Sequence, residues 1–159
     1  SGSFQLEKTN IDVHVIIQKV ANTFKLIVEN KDGSIKLNLN AENPSINADE
    51  IHLTNVLYNL LDNAIKYCSR PPEILISTTD RDTGLNITVK DNGIGMTSKT
   101  QQYIFEKFYR VETGDVHNVK GFGLGLSYVK SIIDAHKGSI YINSKLNSGS
   151  EFSLFFPSL

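Results

Sequence analysis

The chain has 159 residues, 40% of them hydrophobic, and a formal net charge of −1. This length and composition predict a single folded domain, and the charge disfavours nonspecific nucleic-acid binding. Cys68 is the only cysteine, which excludes an internal disulfide and indicates a reducing compartment. No run of about eighteen apolar residues and no secretory signal is present.

Because the chain begins Ser-Gly-Ser without Met, residues 1–8 are expected to be a cloning remnant or linker, and residues 9–159 the domain. The first predicted element is a helix from Asp12 to Glu29. Its apolar face is expected to comprise Val13, Ile16, Ile17, Val20, Phe24 and Ile27. A turn at residues 31–33 then leads into a predicted strand from Ile35 to Asn40.

A second helix is predicted after Asp49, a plausible N-cap. Its apolar residues recur with helical spacing: Leu53, Val56, Leu57, Leu60, Leu61, Ala64 and Ile65. Asn59, Asn63 and Lys66 share a stripe about 60° wide beside that face. An Asn carbonyl suits Mg²⁺ and a Lys suits a phosphate, although an ordinary solvated helix flank would have the same residues.

Alternating apolar residues predict further strands, and a third helix begins near Leu126 and is expected to stop at Gly138. The predicted strands are Glu73–Thr78, Leu85–Lys90, Ser139–Ser144 and Ser150–Phe156, with a loop at residues 80–84. The expected fold class is a two-layer α/β sandwich. A mixed, mostly antiparallel five-stranded sheet would be covered on one face by three helices.

Two glycine segments stand beside these elements. Asp91 ends a strand, where its carboxylate could accept a hydrogen bond from an exocyclic amine such as adenine N6. Gly93 and Gly95 would let a flat base approach the backbone, although Asp-Asn-Gly is also a common turn. The second segment, 121–125, enters a helix, where free N–H groups favour an anion. Its spacing matches neither the dinucleotide-binding nor the P-loop pattern, and a flexible linker remains an alternative.

In this order, Asn59-Leu-Leu-Asp-Asn-Ala-Ile-Lys-Tyr67, Asp91-Asn-Gly-Ile-Gly95 and Gly121-Phe-Gly-Leu-Gly125 resemble the N, G1 and G2 boxes of the Bergerat-fold (GHKL) ATPases. That superfamily holds gyrase B, Hsp90, MutL and the sensor histidine kinases. Phe105-Glu-Lys-Phe-Tyr-Arg110 looks like the F box of histidine kinases. The resemblance extends from about Thr9 to Pro157 and identifies the chain as similar to the ATP-binding catalytic domain of a two-component sensor histidine kinase.

The resemblance implies a role for each matching residue. Asn63 would bind Mg²⁺, Asp91 would bind adenine N6, and residues 97–120 would form the ATP lid. The implied catalytic residues are Asn59, Lys107 and Arg110. The implied nucleotide-binding residues are Asn63, Lys66, Tyr67, Asp91, Gly93, Gly95, Met96, Gly121, Gly123, Leu124, Gly125 and Leu126.

One position distinguishes branches of this superfamily. Hydrolytic members have a general-base Glu four residues before the magnesium Asn, and here that residue is Asn59. The resemblance therefore implies slow hydrolysis, with transfer of the γ-phosphoryl group of Mg-ATP to a histidine and ADP as product. None of the four histidines, His14, His52, His117 and His136, has the sequence context of an acceptor. The acceptor is expected on a separate dimerisation and phosphoacceptor domain.

Two alternatives remain open from the sequence. One is a nucleotide-binding regulatory module with weak catalysis, and the other is an anti-sigma-type serine kinase on the same fold. For the favoured function we expect a response regulator downstream, a monomeric isolated domain and no nucleic-acid partner. We expect the domain in the cytoplasm and its parent anchored in the inner membrane.

Overall fold

The computed structural model describes residues 5–107, 109 and 125–158. The elements in chain order are β1 (Thr9–Asp12), α1 (Val13–Glu29), β2 (Ser34–Leu39), β3 (Ser45–Ala48), α2 (Glu50–Lys66), β4 (Glu73–Arg81), β5 (Gly84–Lys90), α3 (Ser98–Gln101), α4 (Gly125–Ala135), β6 (Ser139–Ser144) and β7 (Ser150–Pro157). Within the described ranges, no helix is both long enough and apolar enough to cross a membrane.

The main sheet has five strands in the order β2-β4-β5-β7-β6. β2 and β4 are parallel, and the other three pairs are antiparallel. Alternate residues of the central strands are buried beneath the helices, among them Ile76, Ile87 and Leu154. The predicted two-layer sandwich with a mixed, mostly antiparallel sheet is therefore confirmed.

Helix α1 begins where predicted, because the side chain of Asp12 caps it by accepting a hydrogen bond from the N–H of His14 at 2.9 Å. The prediction for the end of its apolar face is wrong at one residue. Ile27 is 46% exposed, whereas its neighbour Val28 is buried. Val28 follows Phe24 by four residues, which keeps it on the buried face of the helix.

Helix α2 carries the second predicted apolar face, and all seven residues predicted for that face are buried. Asp49 is its N-cap, as predicted, and accepts a hydrogen bond from the N–H of His52 at 3.0 Å. The other oxygen of the Asp49 carboxylate accepts from the N–H of Glu7 at 2.9 Å. The N–H of Asp49 donates to Nε2 of His136 on α4 at 3.0 Å. Asp49 therefore joins the N-terminal segment, α2 and α4.

The sequence did not predict the small antiparallel sheet that β1 and β3 form. Each strand has only four residues, and neither shows a long alternating pattern. They are held by their pairing and by two buried isoleucines, Ile11 and Ile46, which are directly opposed. Such short strands depend on tertiary contacts that local sequence does not reveal.

Two element boundaries in the structure also differ from the predicted ones. The hairpin between β4 and β5 is tighter than the predicted loop, since Arg81 and Gly84 are already paired. Helix α4 ends at Ala135, and the left-handed residue after it is Lys137 (φ 63°), not Gly138. Gly138 is needed for another reason, because a Cβ there would collide with the carbonyl oxygen of Phe155.

Candidate functional site

A cavity lies between the C-terminal half of α2, the loop after β5 and the start of β7. Its lining is largely apolar and includes one carboxylate, Asp91, and one amide, Asn63. The other lining residues are Ala64, Tyr67, Ile94, Gly95, Met96, Leu126, Ser150 and Phe152. A flat apolar slot with a few fixed polar groups is the usual form of a small-ligand site.

Asp91 is fixed by the backbone around it. Its Oδ1 accepts hydrogen bonds from the N–H of Gly93 at 2.9 Å and from the N–H of Ser150 at 3.1 Å. Among the described residues, both hydrogen bonds to this carboxylate fall on Oδ1, which leaves Oδ2 available to a ligand donor. Burial raises the pKa of Asp91, and the two N–H donors oppose that rise.

The loop that carries Asp91 is tied to the turn between β6 and β7. The N–H of Met96 donates to Oγ of Ser144 at 2.9 Å, and the N–H of Asn147 donates to the carbonyl of Ile94 at 2.6 Å. The hydroxyl of Ser144 contacts that of Ser150 at 2.8 Å. One wall of the cavity is therefore formed by two loops that are hydrogen-bonded to each other.

Close contacts within the protein require glycine at two positions of this loop, a requirement that the sequence did not indicate. Gly95 has φ 69°, and a Cβ there would collide with the carbonyl oxygen of Lys145. A Cβ at Gly93 would lie 2.6 Å from the carbonyl oxygen of Tyr67. Gly95 also lines the cavity, whereas Gly93 does not. Both glycines are required by contacts within the protein, whether or not a base also approaches them.

The polar stripe of α2 divides between two places. Asn63 lines the cavity, whereas Asn59, one turn earlier, lines a second groove to which α1, α2 and α4 all contribute residues. Nδ2 of Asn59 donates to the carbonyl of Asn55 at 2.8 Å. Oδ1 of Asn59 faces the first residue of α4, since a Cβ at Gly125 would lie 2.8 Å from it. Asn59 thus presents an oxygen to the N-terminus of α4.

The phosphate contact of Lys66 stays a prediction, and the structure shows this side chain in an ion pair on α2. Its Nζ lies 2.7 Å from Oδ2 of Asp62 in a partly exposed i,i+4 ion pair, and Lys66 is not among the residues that line the cavity. Lys107 is exposed. Arg110, Gly121, Gly123 and Leu124 lie outside the described residues, as does half of the expected lid.

The structure therefore brings six of the predicted nucleotide-binding residues around one cavity: Asn63, Tyr67, Asp91, Gly95, Met96 and Leu126. Sequence reasoning missed the contributions of Ile94, Ser150 and Phe152 and assigned Ala64 only to the apolar face of α2. The alternation along β7 could have indicated Ser150 and Phe152, which both lie on its buried face. No local signal shows that the N–H of Ser150 holds Asp91, because that contact spans 59 residues.

None of the described histidines lines this cavity. Nε2 of His14 lies 2.7 Å from Oγ1 of Thr78, and Nδ1 of His52 lies 2.6 Å from the hydroxyl of Tyr128. His136 is buried between the carbonyl of Ile132 and the N–H of Asp49, as expected of a structural residue. Burial lowers the pKa of His136, which keeps its ring neutral. His117 lies outside the described residues.

Comparison with known proteins agrees with this geometry. Residues 48–159 match the family model described as histidine kinase-, DNA gyrase B-, and HSP90-like ATPase. The sensor protein RprX of Bacteroides fragilis (strain YCH46) is 48% identical over 157 residues, which are 97% of this chain and 30% of RprX. The chain thus spans less than a third of that relative.

Two solved structures share the fold. The catalytic domain of histidine kinase ThkA, in a nucleotide-free form, has a TM-score of 0.83 at 27% identity and covers 96% of this chain and 97% of its own. Full-length ShkA in complex with AMPPNP also has a TM-score of 0.83 at 27% identity, over 98% of this chain and 32% of its own. With the family model matching well over half of its length, the chain belongs to the histidine kinase-, DNA gyrase B- and HSP90-like ATPase family.

Proposed function

We propose that this chain is the ATP-binding catalytic domain of a sensor histidine kinase, and that it transfers the γ-phosphoryl group of ATP to a histidine of another domain. The observation that carries the proposal is that the carboxylate of Asp91, held in place by two backbone N–H groups, lines the same largely apolar cavity as Asn63. Membership of the ATPase family and the similarity to histidine kinases support it.

The base end of the cavity fits adenine. Oδ2 of Asp91 can accept a hydrogen bond from the exocyclic N6 amine, because Oδ1 is already held by two N–H groups. Tyr67, Met96 and Phe152 supply the apolar surfaces on which a purine ring can pack. Guanine has a carbonyl oxygen at the matching position, which an ionised carboxylate would repel. The chemistry of this end therefore favours ATP over GTP.

Asn63, the amide that lines the cavity, is a suitable ligand for Mg²⁺. This ion usually keeps waters and substrate phosphates and takes only one or two protein oxygens. Asn63 offers one amide oxygen beside the cavity. The described part of the chain contains no cluster of three or more His, Cys, Asp or Glu residues that could hold a metal without the nucleotide. When bound, the ion would neutralise charge on the phosphates, and Asn63 would hold it.

The transfer step requires no base from this chain. An imidazole nitrogen of the acceptor attacks the γ-phosphorus with its lone pair, the bond from that phosphorus to the β,γ-bridging oxygen breaks, and ADP leaves. The acceptor ring then loses the proton on its other nitrogen to water. Asn59 stands where hydrolytic members have a Glu, and an amide cannot take a proton from water. Positioning is the main contribution of the protein in such reactions.

The test is phosphotransfer in trans. The chain is incubated with γ-labelled Mg-ATP and a separately produced dimerisation and phosphoacceptor domain of the same parent protein. We expect label on the acceptor that is stable to alkali and lost in acid, as for phosphohistidine, and little label with the Asn63→Ala variant. Acid-stable label would indicate a serine kinase instead. Tight nucleotide binding without label on any acceptor would contradict kinase activity, and rapid ATP hydrolysis by the chain alone would contradict the role of Asn59.

The partners and location follow from this function. We propose that the acceptor domain belongs to the same longer protein and that a response regulator receives the phosphoryl group from it. We also propose a membrane-anchored parent with this domain on the cytoplasmic side, where ATP is available. The free thiol of Cys68 is compatible with that compartment. A monomeric state of the isolated domain, with dimerisation left to the acceptor helices, stays a prediction.

A further inference from the structure

A hydrogen-bonded pair joins α2 and α4 beside the groove that contains Asn59. The hydroxyl of Tyr128 lies 2.6 Å from Nδ1 of His52, and the two rings are 5.9 Å apart. The Tyr128 hydroxyl also interacts with the side chain of Asn55. Tyr128, Asn55 and Asn59 line the same groove together with Gly125. The cavity that holds Asp91 includes neither Tyr128 nor His52.

The direction of α2 shows which end of a nucleotide this groove would meet. Tyr67 follows the last residue of α2 and lines the base end of the cavity. Moving back along the helix, Asn63 and then Asn59 lie one turn apart, which corresponds to about 6 Å along the axis. If the base is held at Asp91 and Asn63 binds the Mg²⁺ on the phosphates, as proposed above, the phosphates extend along α2 toward Asn59. The groove therefore adjoins the γ-phosphate end.

Apolar packing between α2 and α4 does not by itself fix their register. Burial of residues such as Leu57 and Val129 is favourable but non-directional, so it tolerates small sliding movements. A hydrogen bond of 2.6 Å is directional and tolerates little. Burial raises the pKa of Tyr128, so the phenol stays protonated and able to donate near neutral pH. The pair lies within one turn of Gly125, at the start of α4.

We infer that Tyr128, through its hydrogen bond to His52, is a positioning residue that sets the first turn of α4 against Asn59 and thereby tunes recognition of the γ-phosphate. This inference rests on the proposed function, since it assumes that ATP occupies the cavity. It assigns no contact between Tyr128 and the nucleotide. Its effect would pass through the placement of Gly125 and of the N–H groups that follow it, where a helix N-terminus favours an anion.

The experiment compares the affinities of AMPPNP and ADP in the presence of Mg²⁺, measured by calorimetry on the whole chain. Tyr128→Phe keeps the ring and removes the hydroxyl. We expect roughly a three- to tenfold loss of AMPPNP affinity, the size of one hydrogen bond, with ADP affinity changed less than about twofold. Tyr141→Phe is the matched control, because Tyr141 is 65% exposed on β6. It should change neither affinity.

Two variants of the partner residue complete the test. His52→Ala should reproduce the loss, and combining it with Tyr128→Phe should add nothing further. His52→Asn, whose amide can bond the phenol from the position of Nδ1, should restore most of the AMPPNP preference. Equal losses for AMPPNP and ADP, or no loss for either, would overturn the inference and leave the proposed function intact. A wild-type chain that binds neither nucleotide would instead contradict the proposed function and this inference with it.

Discussion

Asp91 and Ser150 exchange two hydrogen bonds across adjacent strand ends. The N–H of Asp91 donates to the carbonyl of Ser150 at 2.8 Å, and the N–H of Ser150 donates to Oδ1 of Asp91 at 3.1 Å. The carboxylate is thereby oriented before any ligand binds. Such preorganisation reduces the entropic cost of recognition.

Replacing Asp91 by Asn tests this orientation. The amide oxygen can still accept from Gly93 and Ser150, so the new Nδ2 group would face the ligand. A donor would then oppose the N6 amine of adenine, and we expect ATP affinity to fall roughly 10- to 100-fold. The melting temperature should change little. Calorimetric titration checks the affinity, and an unchanged value would contradict the assignment of Asp91.

The same variant offers a gain-of-binding control. Inosine triphosphate has a carbonyl in place of the N6 amine, which Nδ2 of an Asn at this position could recognise. Asp91→Asn should therefore shift the ratio of ATP to inosine triphosphate affinity toward the latter. Loss of both affinities in parallel would indicate damage to the cavity and not a change in the group that it recognises.

The raised pKa of Asp91 predicts opposite pH dependences for binding and stability. The folded state holds a proton that the unfolded state releases between pH 3.8 and the raised value, so this residue makes the free energy of unfolding decrease as pH rises through that window. ATP binding requires the ionised form and should strengthen through the same window. Titrations and denaturation curves at several pH values measure both quantities, and Asp91→Asn should remove each contribution.

The lowered pKa of His136 predicts that the protein loses stability on acidification. Burial lowers its pKa below 6.5, so the unfolded state binds a proton that the folded state resists. Stability from this residue is complete above pH 6.5 and decreases as pH falls from there toward the lowered value. The groups that face its ring are Asp49, His52, Lys8 and the edge of Phe156. Its Nε2 must remain unprotonated to accept from the N–H of Asp49.

Denaturation of wild type and His136→Gln measures this effect. The Gln oxygen can accept from the N–H of Asp49, but the bond to the carbonyl of Ile132 is weakened, so the variant should be less stable by about 1–2 kcal/mol at pH 8. The difference should shrink as pH falls below 6.5. A constant difference from pH 8 to pH 5 would contradict the titration of His136.

Gly125→Ala separates stability from binding. A Cβ there would lie 2.8 Å from Oδ1 of Asn59, a side-chain atom that can rotate away. Alanine is also the better helix former, so the melting temperature should stay equal or rise. Rotation of Asn59 would break its bond to the carbonyl of Asn55 and weaken AMPPNP binding. Calorimetry and thermal denaturation of the one variant check both outcomes.

Gly95→Ala is the matched contrast. The left-handed φ of 69° is strained for alanine, and the new Cβ would collide with the backbone carbonyl of Lys145, which cannot rotate away. We expect a loss of about 2 kcal/mol or more in the free energy of unfolding. A variant as stable as wild type would contradict the close contact between Gly95 and the carbonyl of Lys145.

The sequence predicted the elements with long periodic patterns and failed where contacts are distant. The seven buried apolar residues of α2 were identified from their spacing, because a helix repeats its buried face regularly. The strands β1 and β3 were missed since their pairing joins residues that are 33 to 39 positions apart in the sequence. The residue types at the end of β5 indicated that Asp91 could bind a ligand. The hydrogen bond from Ser150 that orients its carboxylate could be found only from the folded structure. The ion pair between Lys66 and Asp62 was likewise not predicted, and the phosphate contact of Lys66 stays a prediction.

The small sheet beside α2 has a mechanical consequence. β3 ends at Ala48, directly before the cap Asp49, and Ala48 is paired with Thr9 at the start of β1. Asp49 also accepts a hydrogen bond from Glu7. A pull or twist applied to the backbone before Thr9 is thus delivered to the first turn of the helix that carries Asn59 and Asn63. The segment before Thr9 is therefore mechanically connected to the helix that carries the nucleotide-site residues.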